Sequence, residues 1–135
     1  MSIFVDTNIW SELLRRDSPR PLPEVAELVR ALKAGVDVYT TGLVLQEILQ
    51  GVMGPKQRRI VLDHFEYIKF LGPDRADHVG AAELRNICRR AGVQVQTIDA
   101  LLAQICIRHN LTMLSLDTVF GLMARHAPLR VWQAA

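Results

Sequence analysis

Ile3-Phe4-Val5-Asp6-Thr7-Asn8-Ile9-Trp10-Ser11-Glu12-Leu13-Leu14 is the stretch whose reading decides the architecture. Three apolar residues of high β propensity run directly into an acid, a hydroxyl and an amide. Apolar residues then return at helical spacing. The pattern predicts a short buried strand, a tight turn and a helix that starts at once. In an open parallel sheet, ligands sit at the carboxyl ends of the strands, and Asp6 stands at that place. Asp, Thr and Asn are also the preferred residues for capping a helix, so a purely structural role for Asp6 or Thr7 stays open on this stretch alone.

Outward from that stretch, the same alternation continues. Arg15 to Pro23 is a polar loop broken by prolines. Pro23-Glu24 opens a second helix with Val25, Leu28, Val29 and Leu32 as its apolar stripe and Gly35 as its stop. Val36 to Thr40 is expected as a strand. Leu43 to Met53 is expected as a helix apolar nearly all round and therefore buried. Pro55 to Tyr67 follows as a helix, and Ile68 to Leu71 as a strand. Asp74 or Asp77 starts a helix reaching Ala91, with Val79, Ala82 and Ile87 facing inward and Gly92 at its end. Thr97-Ile98-Asp99 opens the most apolar helix, which Asn110 ends in the left-handed conformation. Thr112 to Ser115 is a strand, Val119 to His126 a helix, and Leu129 to Trp132 a last strand. Strands that alternate with helices imply an α/β fold, with a parallel sheet covered by helices on both faces. Nothing resembles a linker, repeat or low-complexity tract, so residues 1–135 are expected to form one domain.

Composition narrows the function. Half of the 135 residues are apolar and 22% are charged, which suits an ordinary folded core rather than disorder. No apolar run approaches the roughly 20 residues of a membrane helix, and the start of the chain does not read as a signal peptide. Cys88 and Cys106 are isolated and fit reduced thiols in a cytoplasmic protein. The four histidines have no zinc-ligand spacing. The formal net charge of +2 is only a weak pointer to nucleic acid.

Four acids stand where apolar residues are expected. Asp6 follows a buried strand. Glu47 has Leu43, Val44, Ile48 and Gly51 as neighbours at helical spacing. Asp99 lies in the first turn of the most apolar helix, and Asp117 directly follows Leu114-Ser115-Leu116. Each has a local structural explanation: Asp99 at a helix dipole, Asp117 as a cap, Glu47 on a helix edge. Buried together, they demand a compensating cation, and no basic residue lies near them in sequence. Hard divalent ions such as Mg²⁺ and Mn²⁺ choose such oxygens, and carboxylate clusters holding them hydrolyse phosphodiesters. Glu24, Glu27, Asp63, Glu66, Asp74, Asp77 and Glu83 are expected on the surface.

In their order along the chain, these motifs resemble the PIN domain family. Ile3 to Ile9 is similar to its opening strand and acid, and Thr41-Gly42-Leu43-Val44-Leu45-Gln46-Glu47-Ile48 to its Glu-bearing helix. Thr97 to Ala103 resembles its third motif, and Ser115-Leu116-Asp117-Thr118-Val119-Phe120 its fourth, commonly Thr-x-Asp-x-Asp-Phe. Ser115 replaces the usual Thr, and Val119 stands where a second acid is often found, which argues against a tightly held second metal. The resemblance covers the whole chain, and the length suits the VapC-type toxins of bacterial toxin–antitoxin pairs. It implies a three-layer α/β/α fold with a central five-stranded parallel sheet. It also implies a Mg²⁺- or Mn²⁺-dependent endoribonuclease that forms a homodimer and is neutralised by a cognate antitoxin. Asp6, Asp99 and Asp117 would hold the metal directly or through water, Glu47 would help ligate it or orient the attacking water, and Thr7, Asn8 and Ser115 would fix the carboxylates.

RNA drawn to a rim of acids needs cations nearby. Three groups qualify: Arg15, Arg16 and Arg20; Lys56, Arg58 and Arg59; Arg85, Arg89 and Arg90. Each group also fits a solvated helix face or a helix carboxyl end. Two rival functions remain. A non-catalytic RNA- or protein-binding module could use the same fold. An aspartyl-phosphate phosphatase would use Asp6 as nucleophile, but it wants an acid two residues on, where this chain has Asn8.

Overall fold

The structure is a computed structural model that describes residues 1–15 and 20–134. Its elements run in the order β1 (Ile3–Val5), α1 (Thr7–Leu13), α2 (Pro23–Lys33), β2 (Val38–Thr40), α3 (Gly42–Gln50), α4 (Pro55–Phe65), β3 (Lys69–Phe70), α5 (Arg75–Arg90), α6 (Thr97–His109), β4 (Thr112–Leu114), α7 (Val119–Met123) and β5 (Arg130–Val131). The five strands form one parallel sheet in the order β3-β2-β1-β4-β5. Ile3 sits opposite Val38 on one side of β1 and opposite Thr112 on the other.

β1 is the middle strand, and all three of its residues are fully buried, as a continuous apolar run requires. From β1 the chain steps outward to β2 and β3, then returns to β4 and β5 on the other side. Strand order therefore reverses between β1 and β4, which makes that junction the switch point where ligands bind in such sheets. Right-handed crossovers place α1–α4 on one face and α5–α7 on the other. The packing agrees: α1 lies against α2 and α3, α3 against α4, and α5 against α6. Trp10 projects from α1 into the first of these layers, fully buried, its ring 4.8 Å from that of Phe65. Asn110 ends α6 with φ +58°, the left-handed conformation expected of it.

Several expectations need correction. The buried residues of α5 are Asp77, Ala81, Leu84 and Cys88, while Val79, Ala82 and Ile87 face solvent. The true stripe keeps helical spacing but begins at an acid, so weighting the apolar residues alone turned the helix the wrong way. In α2, Leu32 is exposed, Val29 is half-buried, and Ala31 lies in the buried stripe. α3 is not buried all round: Val44 and Ile48 form a narrow stripe against its neighbours, and Glu47 is exposed. α7 stops at Met123, and the outer strands are shorter than the sequence suggests.

Asp77 and Glu27 are not surface acids. Glu27 is buried, and both its oxygens accept from Arg30, at 2.7 Å each. Asp77 is 1% exposed and reaches across the α5–α6 layer to Arg108, whose Nη1 donates to it at 2.5 Å. It also shares a reciprocal cap with Asp74: each side chain accepts the other's backbone N–H at 2.9 Å. Asp74 completes the pin with Arg108 at 3.1 Å. At the far end of the same layer, Arg85 Nε donates to the Val95 carbonyl at 2.7 Å.

Removing Asp77 deletes the cap and strips Arg108 of a buried partner. Asp77→Ala should cost about 2 kcal/mol of stability. Glu83→Ala, on the exposed side of the same helix, should stay within about 0.5 kcal/mol. Urea unfolding of the two variants makes the comparison, and equal midpoints would contradict the pin.

Candidate functional site

The chain leaves β1 at Asp6, and the Asp6 N–H extends the sheet ladder by donating to the Leu114 carbonyl at 3.0 Å. This pulls the carboxylate under the surface, where it is only 8% exposed. Its Oδ1 accepts from the Thr7 backbone N–H at 2.8 Å and so caps α1. Its Oδ2 accepts from Ser115 Oγ at 2.8 Å and from Asn8 Nδ2 at 3.4 Å. Asn8 is a bracket between the two halves of the switch point, because its Oδ1 also accepts from the Leu116 N–H at 3.1 Å. Ser115 in turn accepts the Asp117 N–H at 3.0 Å, and Asp117 Oδ1 accepts the Val119 N–H at 2.9 Å. Glu47 reaches the same edge from α3, where its Oε1 accepts the Thr7 hydroxyl at 2.9 Å. Asp99, half-buried in the first turn of α6, accepts no hydrogen bond among the described residues.

The structure thus brings together all seven residues singled out at this edge. Capping and clustering coexist: Asp6 and Asp117 satisfy helix N–H groups and still face the other acids. Burial pushes the Asp6 carboxyl above its ordinary range, and the charges of Glu47 and Asp117 push the same way, against the Ser115 and Thr7 hydrogen bonds. Burial, then the charges of Asp6, Asp117 and Glu47, push Asp99 up to about 6. Ion pairs among the described residues involve Glu12, Glu27, Asp37, Asp74 and Asp77, and none of these four. The four acids lie near enough for their charges to act on one another, yet among the described residues no three acidic, histidine or cysteine side chains already stand as a ready-made ligand set.

The basic groups divide. Arg16 lies outside the described residues. Arg20 is bound inside the molecule: its Nε and Nη2 each meet the buried Glu12 at 3.0 Å, which holds that carboxyl down to about 2. Arg15 also contacts Glu12, at 3.5 Å. Arg15 adjoins Glu47 along a cleft whose far wall is the start of α4, where Lys56, Arg58 and Arg59 are exposed. Arg85 is pinned to Val95, while Arg89 and Arg90 remain exposed at the end of α5 that leads toward Asp99. Two clefts went unnoticed in the sequence. One of about 580 Å³, floored by Trp10, opens at the amino ends of β2 and β3, away from the acids. The other, about 670 Å³, lies beside Asp117 and takes in Arg125 and Trp132. Trp132 was legible by the logic applied to Asp6, since it follows a strand at its carboxyl end.

Comparison with known proteins places the fold. Ribonuclease VapC11 of Mycobacterium tuberculosis is 29% identical over 125 residues, which span 91% of this chain and 92% of that protein. The fold superposes on VapBC2 from Rickettsia felis, bound to a DNA fragment from their promoter, with a TM-score of 0.76 at 18% identity, covering 98% of this chain and all of that one. It superposes on FitAcB from Neisseria gonorrhoeae with a TM-score of 0.71 at 22% identity, covering 98% and 97%. The family model described as PIN domain matches residues 3–125, a span that holds all four acids and every strand except β5, and the chain belongs to that family.

Proposed function

We propose that this chain is a divalent-metal-dependent endoribonuclease and the toxin half of a toxin–antitoxin pair. The observation that carries the reading is the gathering of Asp6, Glu47, Asp99 and Asp117 at the switch point, their like charges repelling one another and, among the described residues, no ion-pair partner for any of them. Four carboxylates of this kind suit a hard divalent cation, Mg²⁺ or Mn²⁺. The mycobacterial relative bears the name ribonuclease, and VapBC complexes share the fold, which supports an RNA substrate and an antitoxin partner. A homodimer and a cytoplasmic location complete the proposal. Among the described residues no helix is long and apolar enough to cross a membrane.

In this reading Asp6, Asp99 and Asp117 hold the ion, directly or through water. When bound, the ion supplies positive charge that polarises a phosphodiester and acidifies a water. Ser115, Asn8 and the Thr7 N–H hold the Asp6 oxygens in place despite the repulsion from the neighbouring acids. Glu47, exposed and tethered among the described residues by the Thr7 hydroxyl, orients the attacking water and takes its proton. Arg15, Lys56, Arg58 and Arg59 on the Glu47 side, and Arg89 and Arg90 on the Asp99 side, draw the RNA backbone across the rim. Asn8 serves as a bracket, which leaves an aspartyl-phosphate route without the acid it needs two residues beyond Asp6.

Asp6→Asn, Asp99→Asn and Asp117→Asn should each lower Mn²⁺-dependent RNA cleavage by about 100-fold or more while the protein stays folded. Mn²⁺ at about 100 times its Kd should stabilise the wild type by about 2.7 kcal/mol and the variants by less. Thermal melts beside cleavage assays test both. Equal stabilisation of all four proteins would remove the metal from this site.

Asp99 also makes the metal-free protein pH-sensitive. Its folded pKa, about 6, lies above the ordinary 3.8, so its contribution to stability is full below the ordinary value and lost as pH rises through about 6. The metal-free melting temperature should therefore rise as pH falls from about 7 to about 5, and Asp99→Asn should flatten that slope. Calorimetry in EDTA across the range reads it directly, and a wild-type slope matching the variant's rejects the assignment.

Glu47→Gln separates roles. It should reduce turnover by about 10- to 100-fold while changing Mn²⁺ affinity by less than about threefold. A loss of affinity as large as that of Asp6→Asn would make Glu47 a direct ligand instead.

A further inference from the structure

We propose that the groove between α7 and the carboxyl end of β5 seats one unpaired base of the RNA, stacked on Trp132, with a neighbouring phosphate on Arg125. The inference rests on the ribonuclease reading and extends it to how the substrate is held. β5 pairs in parallel with β4, Met113 opposite Val131, and the Trp132 N–H donates to the Met113 carbonyl at 2.9 Å. The sheet ladder thus fixes the indole at the same edge as the acids. Trp132 is half-buried, packed against the core on part of its surface, with the rest available to the groove. The groove encloses about 670 Å³ and is continuous with the acid rim, since Ser115 and Asp117 line it. Gly121 adds no wall, because a Cβ there would meet nothing within 4 Å.

The chemistry suits a nucleotide. An aromatic platform accepts any base by stacking, and Thr118 and Gln133 offer hydrogen-bonding groups around it. Arg125 is exposed and enters no ion pair or side-chain hydrogen bond among the described residues, so its full charge is available to a phosphate. Arg125 and Trp132 thereby supply, beside Asp117, the cation and the platform that the acids themselves lack.

The test uses the full chain carrying Asp6→Asn, to slow cleavage, and a labelled, unstructured oligoribonucleotide of mixed sequence. The chain has two tryptophans, and Trp10 is fully buried, so quenching of tryptophan fluorescence by RNA reports on Trp132. Trp132→Ala should weaken binding by about 5- to 150-fold, the range measured for loss of one stacked base, and Trp132→Phe should retain most of it. Arg125→Ala should reduce the slope of log affinity against log salt by about 1. An abasic residue at one position should weaken the parent as much as Trp132→Ala does, and add nothing in that variant. Should Trp132→Ala fold poorly, Trp132→Leu keeps apolar bulk without the stacking face and should show the same loss. If Trp132→Ala and Trp132→Leu bind RNA as the parent does, the groove is not a base site, and a loss of antitoxin binding alone would mark it as a protein surface. Cleavage by otherwise wild-type protein, run in parallel, separates the two ideas. RNA cut normally with unaltered binding by the Trp132 variants overturns the groove alone, whereas RNA that the protein with Trp132 intact neither binds nor cuts overturns both.

Discussion

A carboxylate driven below the surface by the strand that carries it sets the terms for this molecule. β1 is buried on both faces, and its ladder with β4 runs on through the Asp6 N–H. Asp6 therefore has no freedom to retreat to water. Left alone it would take up a proton, because burial disfavours the charged form. Three neutral donors, from Thr7, Asn8 and Ser115, hold it in place, and two of them come from the turn that follows it directly. Like charges on α3, α6 and the β4–α7 loop face it. The arrangement is unfavourable by itself and becomes favourable once positive charge enters.

Stability is supplied elsewhere. The buried acids that have partners, Glu12, Glu27 and Asp77, are all matched to arginines whose heads remain largely exposed. Asp77 and Arg108 tie α5 to the carboxyl-terminal end of α6, and Arg85 ties α5 to the segment before α6. Asp99 rides on a helix held at both ends, so its side chain stays near its neighbours although it accepts no hydrogen bond among the described residues. Paired acids brace the frame, and unpaired acids line one edge of the sheet.

That division explains what the sequence could disclose. Asp6, Glu47, Asp99 and Asp117 stood out because each interrupts an apolar element or follows one at once, and that is a local signal. Alternation of strands and helices was equally local, and it led to the parallel sheet. Asp77 looked like a surface acid because its partner, Arg108, lies 31 residues further on. The same blindness turned α5 the wrong way, since a stripe beginning at a buried acid cannot be recognised before its arginine is in place. α3 misled for the opposite reason: its apolar composition suggested full burial, and packing fully buries only Val44 and Ile48, with Leu43, Leu45 and Leu49 partly covered against the core. Arg20 and Arg85 read as free cations until their intramolecular partners were visible.

The parallel ladder between Ile3 and Thr112 has a consequence for synthesis. Asp6 leaves the ribosome well before Ser115, which orients it, and Asp117, which faces it, because Ser115 lies 109 residues further along the chain. A nascent chain lacking β4 has Asp6 and the Thr7 and Asn8 donors beside it, but neither the Ser115 hydroxyl nor the Leu114 carbonyl that fix it in the sheet. Contacts of such long sequence separation form late, after the cost of closing a large loop has been met. The cluster of acids therefore comes together only once β4 has been made and paired with β1, whatever the order in which the helices form.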